Sequence, residues 1–159
     1  MQKTFQLINR TIELLLVIIF ALLILDVSWQ VFSRYIIGRS SSFTEEFARF
    51  ALIWLAVLGA AYLNGKRGHL AIDFYLQKLP PDRLRRRQII IELFMLVFAL
   101  IVMVIGGGNL VYITLHLGQT SPALQIPLGL VYSIVPFSGL LIVFFSVHHI
   151  FYPAQLIKN

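Results

Sequence analysis

Seven carboxylates, four histidines and no cysteine are the acid–base and metal-binding side chains of this sequence. General acid–base catalysis needs such groups to converge on one point, and a membrane haem needs two axial histidines at one depth on facing helices. His116 lies near one end of an apolar segment, whereas His148 and His149 lie near the opposite end of the next. That spacing argues against a bis-histidine haem. Adjacent His148 and His149 point about 100° apart on a helix and chelate poorly. His69 and Asp73 are four apart and would suit an i,i+4 polar pair, not a metal site. No nucleophile–base constellation stands out, and thiol chemistry is excluded.

The carboxylates sort by position. Glu13 lies one turn past Arg10 and reads as its partner in the headgroup region, and Glu92, five residues past Arg87, likewise reads as interfacial. Asp26 differs, because it lies about 20 Å along a helix from Glu13. An ionised group at membrane depth costs upwards of about 2.5 kcal/mol, so Asp26 needs a polar contact with another helix or an outer position that water reaches. Glu45 and Glu46 follow Ser40–Ser42 and Thr44 in a run that reads as a helix start. Ser42 or Thr44 would be the cap, and the acidic pair would suit the positive end of the dipole. Arg49 can pair with either carboxylate. Arg34, Glu45, Glu46 and Arg49 together could instead lock two spans or fasten a partner at the outer surface.

The elements that must hold these residues follow from composition. Of 159 residues, 58% are hydrophobic even before the 10 glycines are counted, and 13% are charged. Soluble domains average about 45–50% apolar, glycine included, and about 25% charged. A chain of this size cannot hide that surface in water, so an ordinary soluble enzyme is excluded. A helix crosses the hydrocarbon core with about 20 apolar residues. Four stretches qualify, at about 7–37, 47–63, 88–117 and 126–152, which predicts an all-α membrane protein built as one integral domain over 1–159. Within the first stretch the apolar run Leu14–Leu25 is followed by Asp26, Trp29 and Arg34, not by a small-residue cleavage site, and the stretch reads as an uncleaved span.

Between spans two and three, Lys66, His69, Asp73 and Gln77 fall on one helical face. This predicts a short amphipathic helix over about 69–79 lying in the membrane interface, ended by Pro80, with Pro81 opening the third span. Ten Lys and Arg flank one side of the membrane and three the other. By the positive-inside rule both termini face the cytoplasm. Arg83, Arg85, Arg86 and Arg87 set that topology and attract anionic lipid headgroups. The net charge of +6 therefore reads as topology and not as nucleic-acid binding. Gly59, the Ala56/Ala60 pair and Gly106–Gly108 offer close approach between helices, and Pro136 should kink the fourth span.

The absences also inform. No internal repeat links the two halves, and no charged lining suits a pore. The spans are apolar nearly all round, which points to a subunit that works by packing against another membrane protein.

Several ordered motifs resemble a known family. They are Val31-Phe32-Ser33-Arg34-Tyr35, Ser42-Phe43-Thr44-Glu45-Glu46-Phe47-Ala48-Arg49-Phe50, Trp54 with Gly59-Ala60-Ala61, Gly68-His69-Leu70-Ala71-Ile72-Asp73, and Ser121-Pro122-Ala123-Leu124-Gln125-Ile126-Pro127 with Pro136. Together they resemble the small membrane subunit (DctQ or SiaQ type) of tripartite ATP-independent periplasmic (TRAP) transporters. Phe43 stands where that family usually has Trp. The resemblance implies a non-catalytic scaffold in a bacterial inner-membrane hetero-complex that imports an organic-acid anion, such as a C4-dicarboxylate or sialic acid. It implies that the large membrane subunit carries substrate and Na⁺ by an elevator motion, and that a periplasmic binding protein delivers the substrate. No cofactor is expected in this chain. Asp26, Arg34, Glu45, Glu46, Arg49, Trp54 and Gly59 are the candidate structural or partner-facing residues. Two other functions are weighed: a redox subunit using the histidines, and a small lipid-acting enzyme using Asp26 or Glu45 and Glu46.

Overall fold

A computed structural model describes residues 2–38, 41–66 and 81–151, without the side chains of 2–4, 37 and 81–84. Helix α1 spans Gln2–Phe32 and runs into a π-helical turn, Ser33–Ile37. Helix α2 spans Ser42–Gly65. Helix α3, Pro81–Phe98, continues through a π-helical stretch, Ala99–Gly106, into α4, Gly107–His116. Helix α5, Leu128–Tyr132, and α6, Ile134–Phe151, complete the described chain.

Among the described residues four helical segments are long and apolar enough to cross a membrane: Phe5–Ile36, Ser42–Gly65, Arg85–His116 and Leu128–Phe151. The all-α membrane architecture is therefore as the sequence implied. The second span starts earlier than hydropathy suggested, because the polar turn Ser42–Glu46 is already helical. Helix α3 opens at Pro81 as expected, where the missing N–H costs nothing. The amphipathic helix proposed for 69–79, with His69 and Asp73, lies outside the described residues.

Pro136 accounts for the break between α5 and α6. It has no N–H to give the Tyr132 carbonyl four residues back, and the helix is interrupted one turn earlier, at Ser133. The Ser133 hydroxyl donates to Leu130 O at 2.6 Å and satisfies one of the local carbonyls.

The fourth span is the axis of the bundle. In its most apolar stretch 39% of residues are buried, against 6% in the first and third spans. Helix α6 packs on α2, α3 and the π stretch, while α1 packs mainly on α2. Ala61, Ala99 and Ile142 form the buried centre, surrounded by Met95, Met103, Leu141 and Val143. Close approach depends on Gly139, where a Cβ would lie 2.7 Å from Met103 Cβ, and on Gly107, where it would lie 2.9 Å from Val135 Cγ1. Gly59 and Gly108, singled out from the sequence as approach points, have nothing within 4 Å of a built Cβ. They face outward because a helix apolar on every side does not reveal its inner face.

The loop joining α4 to α5 is ordered by its own backbone. Gly118, at φ +60°, ends α4 in a Schellman motif, with Gly118 N–H donating to Leu115 O at 3.1 Å and Gln119 N–H to Thr114 O at 3.0 Å. Beyond it Ser121 N–H donates to Ile126 O at 2.9 Å and Leu128 N–H to Gln119 O at 2.9 Å. This loop presents the backbone of Ala123 and Leu124 to α2.

Candidate functional site

Two polar clusters lie at opposite ends of the bundle. At the far end, where α1 finishes and α2 begins, Glu46 is 9% exposed. Its carboxylate Oε2 accepts the N–H of Ala123 at 2.9 Å and of Leu124 at 2.8 Å. Two donors converging on one ionised oxygen are what lets a carboxylate be buried here. Within this chain, then, Glu46 ties the second span to the α4–α5 loop and not to the first span.

The cap expected at Ser42 or Thr44 lies at Ser41, whose backbone is extended and whose side chain makes no capping bond. Thr44 Oγ1 instead donates to Ser41 O at 2.9 Å. Glu45 and Arg49 form the local pair foreseen, at 3.6 Å and largely exposed. Arg34 is exposed, with no ion pair among the described residues.

Asp26 does reach toward a second helix, through Gln30. The Gln30 amide donates to Asp26 Oδ2 at 2.6 Å and to Thr44 O on α2 at 3.0 Å. Trp54 donates its indole N–H to Val131 O at 3.0 Å, in the short helix before the Ser133 break.

At the near end, where α1 begins and α6 ends, the pairings differ from local expectation. Glu13 pairs with Lys66 at 3.5 Å, across to the cap of α2, and not with Arg10. The Lys66 ammonium also lies 4.6 Å from the centre of the Tyr62 ring. Glu92 is not merely interfacial: its Oε1 lies 3.0 Å from His149 Nδ1, with the two side chains 13% and 4% exposed. His148 stacks on Phe5, centroids 4.5 Å apart. Fully buried Asn64 spans α2 and α6, donating to Ser146 Oγ at 3.3 Å and Ile142 O at 3.4 Å. The i,i+4 logic of the sequence reading could not see these inter-helix partners. Matching the depth of Glu92 at the start of one span with His149 at the end of another was the available signal.

His116 lies in the last turn of α4 and stacks on Tyr112, while His148 and His149 close α6 at the other end. Among the described residues no three His, Cys, Asp or Glu side chains gather as a metal site. Arg85, Arg86 and Arg87 are exposed in the first turns of α3, and the Arg83 side chain lies outside the described residues.

Glu46, Asn64, Trp54 and the Glu92–His149 pair thus join the chain to itself, and large apolar side chains stand exposed on its outer faces. This defines a multi-pass, four-span membrane protein. The family model described as tripartite ATP-independent periplasmic transporters, DctQ component, matches residues 23–156. The chain belongs to this DctQ family of TRAP transporter components. A putative TRAP transporter small permease protein of Haemophilus influenzae is 30% identical over 135 residues, covering 85% of this chain and 82% of that protein. The sialic acid TRAP transporter small permease protein SiaQ of Vibrio cholerae is 27% identical over 101 residues, 64% of this chain and 58% of that protein. The isethionate TRAP transporter permease protein DctMQ of Oleidesulfovibrio alaskensis is 30% identical over 122 residues, 73% of this chain and 19% of that protein. The chain is a transporter component and not an enzyme.

Proposed function

We propose that this chain is the non-catalytic scaffold subunit of a Na⁺-coupled TRAP importer of an organic-acid anion. It braces a larger permease subunit in the bacterial inner membrane. Both termini face the cytoplasm, and a periplasmic binding protein supplies the substrate to the complex. Na⁺ belongs to the large subunit. The observation that carries this reading is how the polar groups are used: Glu46, Asn64, Trp54 and the Glu92–His149 pair all bond within the chain. Through their middles, over 14–25 and 94–105, the outer surfaces of the first and third spans are apolar and uncovered. Such a surface fits a neighbour or lipid and offers a solute no polar cradle.

Two features of the relatives support a large partner. One carries the match within a DctMQ permease protein of which this chain covers 19%, and others are named as small permease proteins. The relatives named for sialic acid and isethionate fit the organic-acid class.

The outer seam of α2 carries exposed Glu45 and Arg49 at one end and exposed Leu52, Ala56 and Leu63 with half-buried Gly59 along its length. This seam is the proposed contact with the large subunit. Co-expression of the tagged chain with the large membrane subunit encoded beside it tests the reading. The two should co-purify, and Glu45→Lys with Arg49→Glu, or Gly59→Leu, should weaken the association while membrane insertion stays intact. Failure of the unaltered pair to associate would overturn it.

A further inference from the structure

A groove of about 650 Å³ opens at the near end of the bundle, between the first turns of α1 and the cap of α2. Its upper wall is polar: Gln6, Asn9, Arg10, Glu13 and Lys66. Its lower wall is apolar: Leu14 and Val17. These two are 61% and 60% exposed, so nothing in the described chain covers them.

Depth identifies what such a groove meets. The run Leu14–Leu25 is wholly apolar. A hydrocarbon core of about 20 helical residues centred on that run extends from about Arg10 to about Trp29. Arg10 therefore sits where phosphates and glycerol esters lie, and Leu14 and Val17 sit one and two turns deeper, beside acyl chains. Charge points the same way. Two cations face one carboxylate, and Glu13 is committed to Lys66 at 3.5 Å. Arg10 has no ion pair among the described residues. A planar guanidinium at the headgroup boundary with no carboxylate of its own is suited to bidentate contact with a phosphate oxygen pair.

We propose that this groove seats one anionic phospholipid, its phosphodiester on Arg10 and Lys66 and an acyl chain along Leu14 and Val17. The single negative charge of a phosphatidylglycerol balances the net single positive charge of the three ionised side chains. The site is distinct from the arginine run at 83–87 on the third span. The inference rests on α1 crossing the bilayer and not on the scaffold reading, so uptake results bear on that reading and lipid retention on this one.

Native mass spectrometry of the full-length chain in mild detergent with added phosphatidylglycerol tests it. One lipid should be retained at a ratio at least tenfold above that of phosphatidylcholine. Arg10→Gln should lower retention about tenfold, and Arg10→Lys should restore part of it. The Arg85→Gln/Arg86→Gln/Arg87→Gln variant should keep the retained lipid, and millimolar inorganic phosphate should not displace it. A thermal midpoint raised by phosphatidylglycerol in the unaltered chain, and not in Arg10→Gln, gives a second readout at matched folding. Equal retention by Arg10→Gln and the unaltered chain would overturn the proposal. Loss confined to the triple-arginine variant, displacement by phosphate, or equal retention of the two lipids would do so as well.

Discussion

Glu46 Oε2 lies 2.8 Å from the backbone nitrogen of Leu124, 78 positions further along the chain, and accepts its N–H together with that of Ala123. One ionised oxygen thus holds the start of the second span against the loop between the third and fourth. Charge-assisted hydrogen bonds contribute about 1.5–3 kcal/mol. Glu46→Ala should therefore lower the stability of the purified chain by about 2 kcal/mol, read as a fall in the SDS or thermal midpoint. Glu46→Gln, which keeps an acceptor without the charge, should lose less. Glu45→Ala next to it should change stability by under about 0.5 kcal/mol, because the Glu45–Arg49 pair is exposed.

The Glu92–His149 contact, by contrast, joins two enclosed titratable side chains. His149→Leu leaves the Glu92 carboxylate without its hydrogen-bond partner, and orphaning a buried polar group in this way costs about 1–3 kcal/mol. Replacing both with leucine removes the orphan as well as the pair. The double variant should be more stable than His149→Leu alone, and a double-mutant cycle should give a coupling above about 1 kcal/mol. Additive single effects would show that the two groups do not interact.

Glycine substitutions should separate folding from association. At Gly139 an added Cβ meets Met103 Cβ at 2.7 Å and the backbone nitrogen of Val104 at 3.2 Å, so Gly139→Ala pushes α6 away from the π stretch. Overpacking of this kind costs about 1–3 kcal/mol. At Gly59 the same atom meets nothing within 4 Å. Gly59→Ala should not lower the midpoint of the isolated chain and, by helix propensity, should raise stability by up to about 1 kcal/mol, as a thermal melt of both variants would reveal.

Trp54→Phe removes the indole donor from Val131 O but keeps most of the ring. It should cost about 0.5–1.5 kcal/mol, and the protection of nearby α5 amides from hydrogen exchange should fall with it.

The four spans were legible because twenty-residue apolar runs have few other uses, and Pro81 and Pro136 marked a start and a break by what their rings forbid. The partners of the polar residues were not. Glu46 was visible only beside Arg49, since an uncharged loop gives no sign that its amides will serve as donors. Glu13 was assigned to Arg10 by sequence proximity, yet the α1–α2 contact brings Lys66 to it. Gly59 looked like a packing glycine and Gly139 did not, because an all-round apolar helix carries no periodicity to show which side turns inward.

In the function proposed, this chain supports transport by another subunit and moves no solute itself. Uptake into proteoliposomes under an inward Na⁺ gradient, with the binding protein and labelled sialic acid, C4-dicarboxylate or isethionate, measures that directly. Vesicles holding this chain alone should accumulate nothing, and vesicles holding it with the large subunit should accumulate one of these anions only while the gradient lasts. Accumulation by the chain alone would contradict the account.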